Sequence, residues 1–183
     1  MAEKKERLYF AYGSNINLDQ MAQRCPDAEA VGPVVLEDYE LLFRGNRAGC
    51  GVATIEPLPG SQVHGLLWKL TPQCERSLDF YEGYPRLYGK EDVTVRAYDG
   101  QELSVMAYIM TGEMWRDPAM PSQIYYDGIM DGYRQNGLPV KELESALKNA
   151  HDEVRQNRLF ERMQQQDLFS RKPPVRKKGR DER

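Results

Sequence analysis

Near the start of the chain, an apolar, aromatic run at residues 8–12 stops abruptly on Gly13, Ser14 and Asn15. The run reads as a buried strand, and a glycine followed by two small polar residues reads as a tight turn. Asn17 then caps a short helix that has Asp19 and Gln20 in its first turn and Leu18 and Met21 on its apolar side; Pro26 discourages continuation past Arg24. A strand that turns into a helix this quickly can leave several backbone N–H groups facing one concavity, because glycine permits the turn and small side chains do not fill it. Such a nest suits a carboxylate or a phosphate. The same residues also make an ordinary capped turn with no ligand, and Asp19 already occupies part of the field at the helix terminus.

Short strands dominate the middle of the chain. Apolar runs at 39–43, 51–55 and 62–70 are separated by glycine and proline, and two more at 90–98 and 102–110 are joined by Asp99-Gly100, a strong hairpin signal. Between them Thr71 and Pro72 open a helix that leads into Tyr81-Glu82-Gly83. Residues 122–135 have helical spacing and end on Asn136-Gly137, and Pro139 begins a second helix through about residue 150. The segment 151–169 is polar and helical or frayed. Strands with flanking helices indicate an α+β fold. With 183 residues, one domain over 1–150, a helical extension over 151–170 and a basic, disordered tail over 171–183 are expected.

Three features could carry chemistry. The turn at Tyr12, Gly13, Ser14 and Asn15 is the first. The second is Glu82, a carboxylate set among Phe80, Tyr81 and Tyr84; burial there would raise its pKa and make it a proton carrier near neutral pH, whereas exposure would leave it an ordinary loop acid. Asp79, three residues earlier, competes for that role. The third is the set of 11 tyrosines, several beside glycine or proline, which could wall an amphipathic pocket. Cys25, Cys50 and Cys74 form no CxxC, and His64 and His151 stand alone, so neither a disulfide framework nor a metal site is expected. The chain also has no phosphate-binding GxxxxGK[ST] loop.

The ordered set of motifs resembles the γ-glutamylcyclotransferase family, whose superfamily includes the AIG2-like proteins and the γ-glutamylamine cyclotransferases. The resemblance rests on Tyr9-Phe-Ala-Tyr-Gly-Ser-Asn15, on Gly51-Val-Ala-Thr-Ile55 and on Val63-His-Gly-Leu-Leu-Trp-Lys-Leu70. Ser77-Leu-Asp79 leading to Glu82-Gly83 and Tyr88, then Pro121-Ser122, Tyr125 and Asn136-Gly-Leu-Pro139, extend it across roughly residues 7–150. It implies a small, mixed, closed β-barrel with flanking helices and an enzyme that needs no cofactor. Such an enzyme cleaves a γ-glutamyl amide or peptide by intramolecular cyclisation, giving 5-oxoproline and a free amine. Glu82 matches the catalytic glutamate, the Tyr12–Asn15 turn matches the loop that grips the γ-glutamyl group, and Tyr88 and Tyr125 match pocket tyrosines. The segment Gly83-Tyr-Pro-Arg-Leu-Tyr88 departs in composition and length from the glutathione-pathway members, which leaves the identity of the departing amine open. The alternative is a non-catalytic binding or regulatory protein that uses the same cavity for a carboxylate-bearing ligand.

Charge narrows the partners. Residues 171–183 hold seven Lys/Arg against two Asp/Glu, so residues 1–170 carry a formal −8 within the net −3. An acidic body with so short a basic tail disfavours nucleic acid. No apolar stretch approaches the roughly 20 residues of a membrane span, and the charged opening is unlike a signal peptide. A cytoplasmic protein with a small γ-glutamyl substrate is expected, with pairing to a second copy left open.

Overall fold

The computed structural model describes residues 6–46, 48–112 and 117–170, with side chains through residue 166. Its five strands are β1 (Arg7–Ala11), β2 (Glu29–Gly45), β3 (Gly51–Leu70), β4 (Tyr88–Ala97) and β5 (Glu102–Met110). They close into a barrel in the order β1-β3-β2-β4-β5. Closure is parallel, with Tyr9 opposite Met106 and Phe10 opposite Ala107, while the other pairings are antiparallel, so the barrel is mixed. Four helices flank it: α1 (Leu18–Arg24), α2 (Pro72–Tyr81), α3 (Gln123–Gln135) and α4 (Val140–Ser170).

The runs at 39–43, 51–55 and 62–70 are not separate strands. They belong to the 17-residue β2 and the 20-residue β3, which form one long antiparallel ribbon. Proline and glycine at 57–60 read as breaks, yet pairing resumes beyond them after a register shift at Glu37/Tyr39. Asp38 there has φ 60°, Gly60 has φ 81°, and the Gly60 N–H donates to Asp38 Oδ1 at 2.8 Å. This bulge absorbs the irregular residues and lets the ribbon bend. Similarly, α4 is one continuous helix from Val140 through Ser170 rather than a helix with a distinct extension. The expectation for 171–183 lies outside the described residues.

The caps fall where their side chains allow. Asn17 accepts from Gln20 N–H, Thr71 from Cys74 N–H and Ser122 from Tyr125 N–H, each holding an otherwise unpaired first-turn donor. Gly137 at φ 64° ends α3, and Leu138 N–H returns to Tyr133 C=O at 2.8 Å. The core fills the barrel with Phe10, Phe43, Ile55, Leu66, Leu67 and Val95, all essentially buried. Gly132 lets α3 cross close to the turn after β1: a Cβ there would meet Ile16 Cγ1 at 2.5 Å and Asn17 N at 2.8 Å. That crossing fixes the turn against the barrel end and so positions the cleft.

Candidate active site

The turn after β1 is a single 3-10 turn, Ser14–Ile16, closed by Ile16 N–H on Gly13 C=O at 3.1 Å. It is held from three sides. Trp68 Nε1 donates to Asn15 C=O at 3.0 Å, Asn17 Nδ2 donates to Gly128 C=O at 2.8 Å, and Asn136 Nδ2 donates to Ile16 C=O at 2.8 Å. Gly13 packs so closely that a Cβ would sit 3.2 Å from Ala53 Cβ and 3.6 Å from the Tyr125 hydroxyl. The N–H groups of Ser14 and Asn15, first in the turn, have no acceptor among the described residues.

Glu82 caps the C-terminus of α2, its N–H bonded to Leu78 C=O at 2.8 Å, and its side chain reaches the turn. Asn15 Nδ2 donates to Glu82 Oε1 at 2.7 Å and to the Tyr9 hydroxyl at 3.0 Å. Arg24, at the end of α1, donates to Asn15 Oδ1 at 2.6 Å and to Ser14 Oγ at 3.1 Å. Burial dominates the electrostatics of Glu82 and pushes its pKa up to about 7, although the Asn15 hydrogen bond and the Arg24 charge pull it down. The carboxyl therefore takes and gives up a proton near neutrality.

Tyrosines surround it. A small cleft is lined by Tyr9, Tyr12, Gly13, Ser14, Asn15, Ala53, Glu82, Tyr88, Tyr108 and Tyr125. All seven residues singled out in the sequence, Glu82, Tyr12, Gly13, Ser14, Asn15, Tyr88 and Tyr125, thus face one cavity. Hydrogen bonds fix the tyrosines: Tyr88 donates to Ala53 C=O at 2.6 Å, Tyr125 accepts from Ala53 N–H at 3.1 Å, and Tyr12 donates to Tyr108 C=O at 2.5 Å. Burial, with the nearby Glu82 charge adding to it, raises the pKa of Tyr9 and Tyr12, and burial also raises those of Tyr88 and Tyr125, so all four stay protonated. A larger cleft beside Tyr39, Thr54, Glu56 and Thr111 holds none of these residues.

Sequence reasoning missed Tyr9, Ala53, Tyr108 and Arg24. Strand alternation gives no hint that Tyr9 and Tyr12 reach one cleft, because the chain leaves the strand between them. Arg24 reads as a helix-end cation and nothing more. Asp79, the rival carboxylate, is taken up elsewhere: Lys90 Nζ lies 2.7 Å from Oδ1, and the Tyr108 hydroxyl donates to the same oxygen at 2.6 Å.

Comparison with known proteins agrees with this geometry. Residues 9–127 match the family model described as gamma-glutamyl cyclotransferase, AIG2-like. A human gamma-glutamylcyclotransferase is 35% identical over 154 residues, covering 80% of this chain and 79% of the relative. A bovine gamma-glutamylcyclotransferase is 36% identical over 73% of each chain. A solved gamma-glutamyl cyclotransferase structure superposes with a TM-score of 0.69 at 32% identity, covering 78% of this chain and 86% of that one. This chain belongs to the AIG2-like gamma-glutamyl cyclotransferase family.

Proposed function

We propose that the protein is a γ-glutamyl cyclotransferase in which Glu82 is the proton carrier, converting a small γ-glutamyl amide or peptide into 5-oxoproline and a free amine. One observation carries this: a single carboxyl, its pKa raised to about 7 by burial, sits in a tyrosine-walled cleft beside a turn whose Ser14 and Asn15 N–H groups have no acceptor among the described residues. Membership of the family supports it.

The chemistry follows from these positions. One Glu82 oxygen is held by Asn15, which leaves the other for substrate. As carboxylate, that oxygen accepts a proton from the substrate's α-ammonium group. The freed amine attacks the γ-carbonyl carbon, and a C–N bond forms to close the five-membered ring. The original amide C–N bond then breaks, and Glu82 returns its proton to the departing nitrogen. Ring closure leaves the former α-amine nitrogen with two protons: one remains as the lactam N–H, and the regenerated Glu82 carboxylate takes the other and passes it to the released amine, which leaves as its ammonium, so no other reactant is required. The N–H donors of Ser14 and Asn15 hold substrate oxygens, and Tyr88 and Tyr125 shape the opposite wall. Nucleophile and electrophile belong to one molecule, so holding the glutamyl group folded supplies much of the acceleration. The residues that carry this chemistry all lie within 1–150, and α4 runs on past them as the same continuous helix.

The test is mass-spectrometric detection of 5-oxoproline from glutathione, γ-glutamyl dipeptides and γ-glutamyl amines, with Glu82→Gln alongside. Product with the unmodified protein and none with the variant is expected. No product from any of the panel would overturn the proposal.

A further inference from the structure

Arg24 meets Asn15 on the opposite end of its amide from Glu82, and among the described residues its three hydrogen bonds go to neutral acceptors: Asn15 Oδ1 and Ser14 Oγ from Nη1, and Gln20 Oε1 from Nη2 at 2.6 Å. Its flat face lies 3.9 Å from the centre of the half-exposed Tyr81 ring. The guanidinium is thus held by hydrogen bonds and by the ring, and among the described residues no carboxylate lies within hydrogen-bond reach of it.

A guanidinium only donates, whereas an amide has one accepting and one donating end. Because Arg24 occupies Asn15 Oδ1, the Asn15 NH₂ must point the other way, toward Glu82 Oε1 and the Tyr9 hydroxyl. The flipped amide would set its oxygen against the carboxylate and its NH₂ against the guanidinium, losing both hydrogen bonds. Trp68 holds the Asn15 backbone meanwhile, so the side chain has little other freedom. We propose that Arg24 is a positioning residue for Glu82: it sets the Asn15 amide so that one carboxyl oxygen is held and the other faces the cleft. The proposal deepens the assignment of Glu82 as proton carrier and rests on it. Arg24 has a second effect in the same direction, since its charge favours the ionised carboxyl that burial disfavours.

The test labels the protein with [5-13C]glutamate, assigns the Glu82 carboxyl signal by its loss in Glu82→Gln, and titrates it in the unmodified protein, Arg24→Met, Arg24→Gln and Arg24→Lys. The Glu82 midpoint should rise in the Met and Gln variants and stay close to that of the unmodified protein in the Lys variant, which keeps a cationic donor. In parallel, kcat for 5-oxoproline formation should fall at least about tenfold in Arg24→Met. KM should stay within about threefold, and adding Asn15→Ala to Arg24→Met should cost little more, as expected of residues acting as one unit. A Glu82 midpoint unchanged in folded Arg24→Gln, or fully additive losses with Asn15→Ala, would overturn the proposal. The titration does not depend on turnover: an inactive unmodified protein would sink the enzymatic assignment while the carboxyl signal still decides the role of Arg24.

Discussion

Asp79 and Glu82 lie three residues apart at the end of one helix, yet they sit in opposite electrostatic situations. Asp79 is met by a cation, Lys90, and by the Tyr108 hydroxyl. Lys90 is further bound to Glu75 at 2.6 Å; burial pulls its pKa down, but its hydrogen bonds to Asp79 and Glu75 outweigh that and hold it above its ordinary value. Glu82 is met by a neutral amide and walled by tyrosines, and Arg24 is linked to it through Asn15. A carboxylate paired with a cation keeps its charge and becomes part of the scaffold. One that is buried against neutral donors shares its proton near neutrality, as acid–base chemistry requires. Tyr108 joins the two regions: its ring lines the cleft, 5.6 Å from Tyr9 in an edge-on contact, while its hydroxyl is tied to Asp79.

The sharpest way to break this contrast is to neutralise each carboxylate in turn. Glu82→Gln should lower the rate of 5-oxoproline formation by roughly 10²–10⁴-fold, whereas Asp79→Asn should keep kcat within about tenfold. Equal losses would mean that the two acids are not functionally distinct.

Stability should move the other way. The folded state holds the Glu82 proton up to about pH 7 while the unfolded chain releases it near 4.5, so folding is progressively penalised as pH rises between those values. Glu82→Gln removes the penalty. In urea titrations it should match the unmodified protein below pH 4.5 and exceed it by up to ~3 kcal/mol above pH 7. Asp79→Asn should instead destabilise, by ~1–2 kcal/mol at neutral pH, because Lys90 keeps Glu75 but loses its second anion. A smaller effect awaits the outer end of the same network: Arg7 meets Glu75 at 2.9 Å with 43% of its side chain exposed. Arg7→Gln should change the urea midpoint by less than the equivalent of ~0.5 kcal/mol.

Local signals survived translation into structure, and long-range ones did not. Caps at Asn17, Thr71 and Ser122 and the Asp99-Gly100 turn depend on neighbours in sequence, so they were legible there. The bend of β2 and β3 was hidden because Pro57, Pro59 and Gly60 read as breaks, whereas Asp38 across the ribbon accommodates them. The turn at Gly13–Asn15 and Glu82 stood out by residue type and by resemblance. The choice between Glu82 and Asp79 did not, since it is made by Lys90 arriving from β4 and Tyr108 from β5. Arg24 was invisible for the same reason, because only the fold brings the end of α1 back against Asn15.

The most direct test of the central claim is the pH dependence of kcat/KM for 5-oxoproline formation by the unmodified protein, which reports ionisations of the free enzyme. If Glu82 must be ionised to take the substrate's proton, kcat/KM rises with pH through a limb centred near the value of about 7 that desolvation gives it. A profile already flat across pH 6 to 8 would contradict the account, placing the proton carrier on an ordinary, solvated carboxylate or on another group.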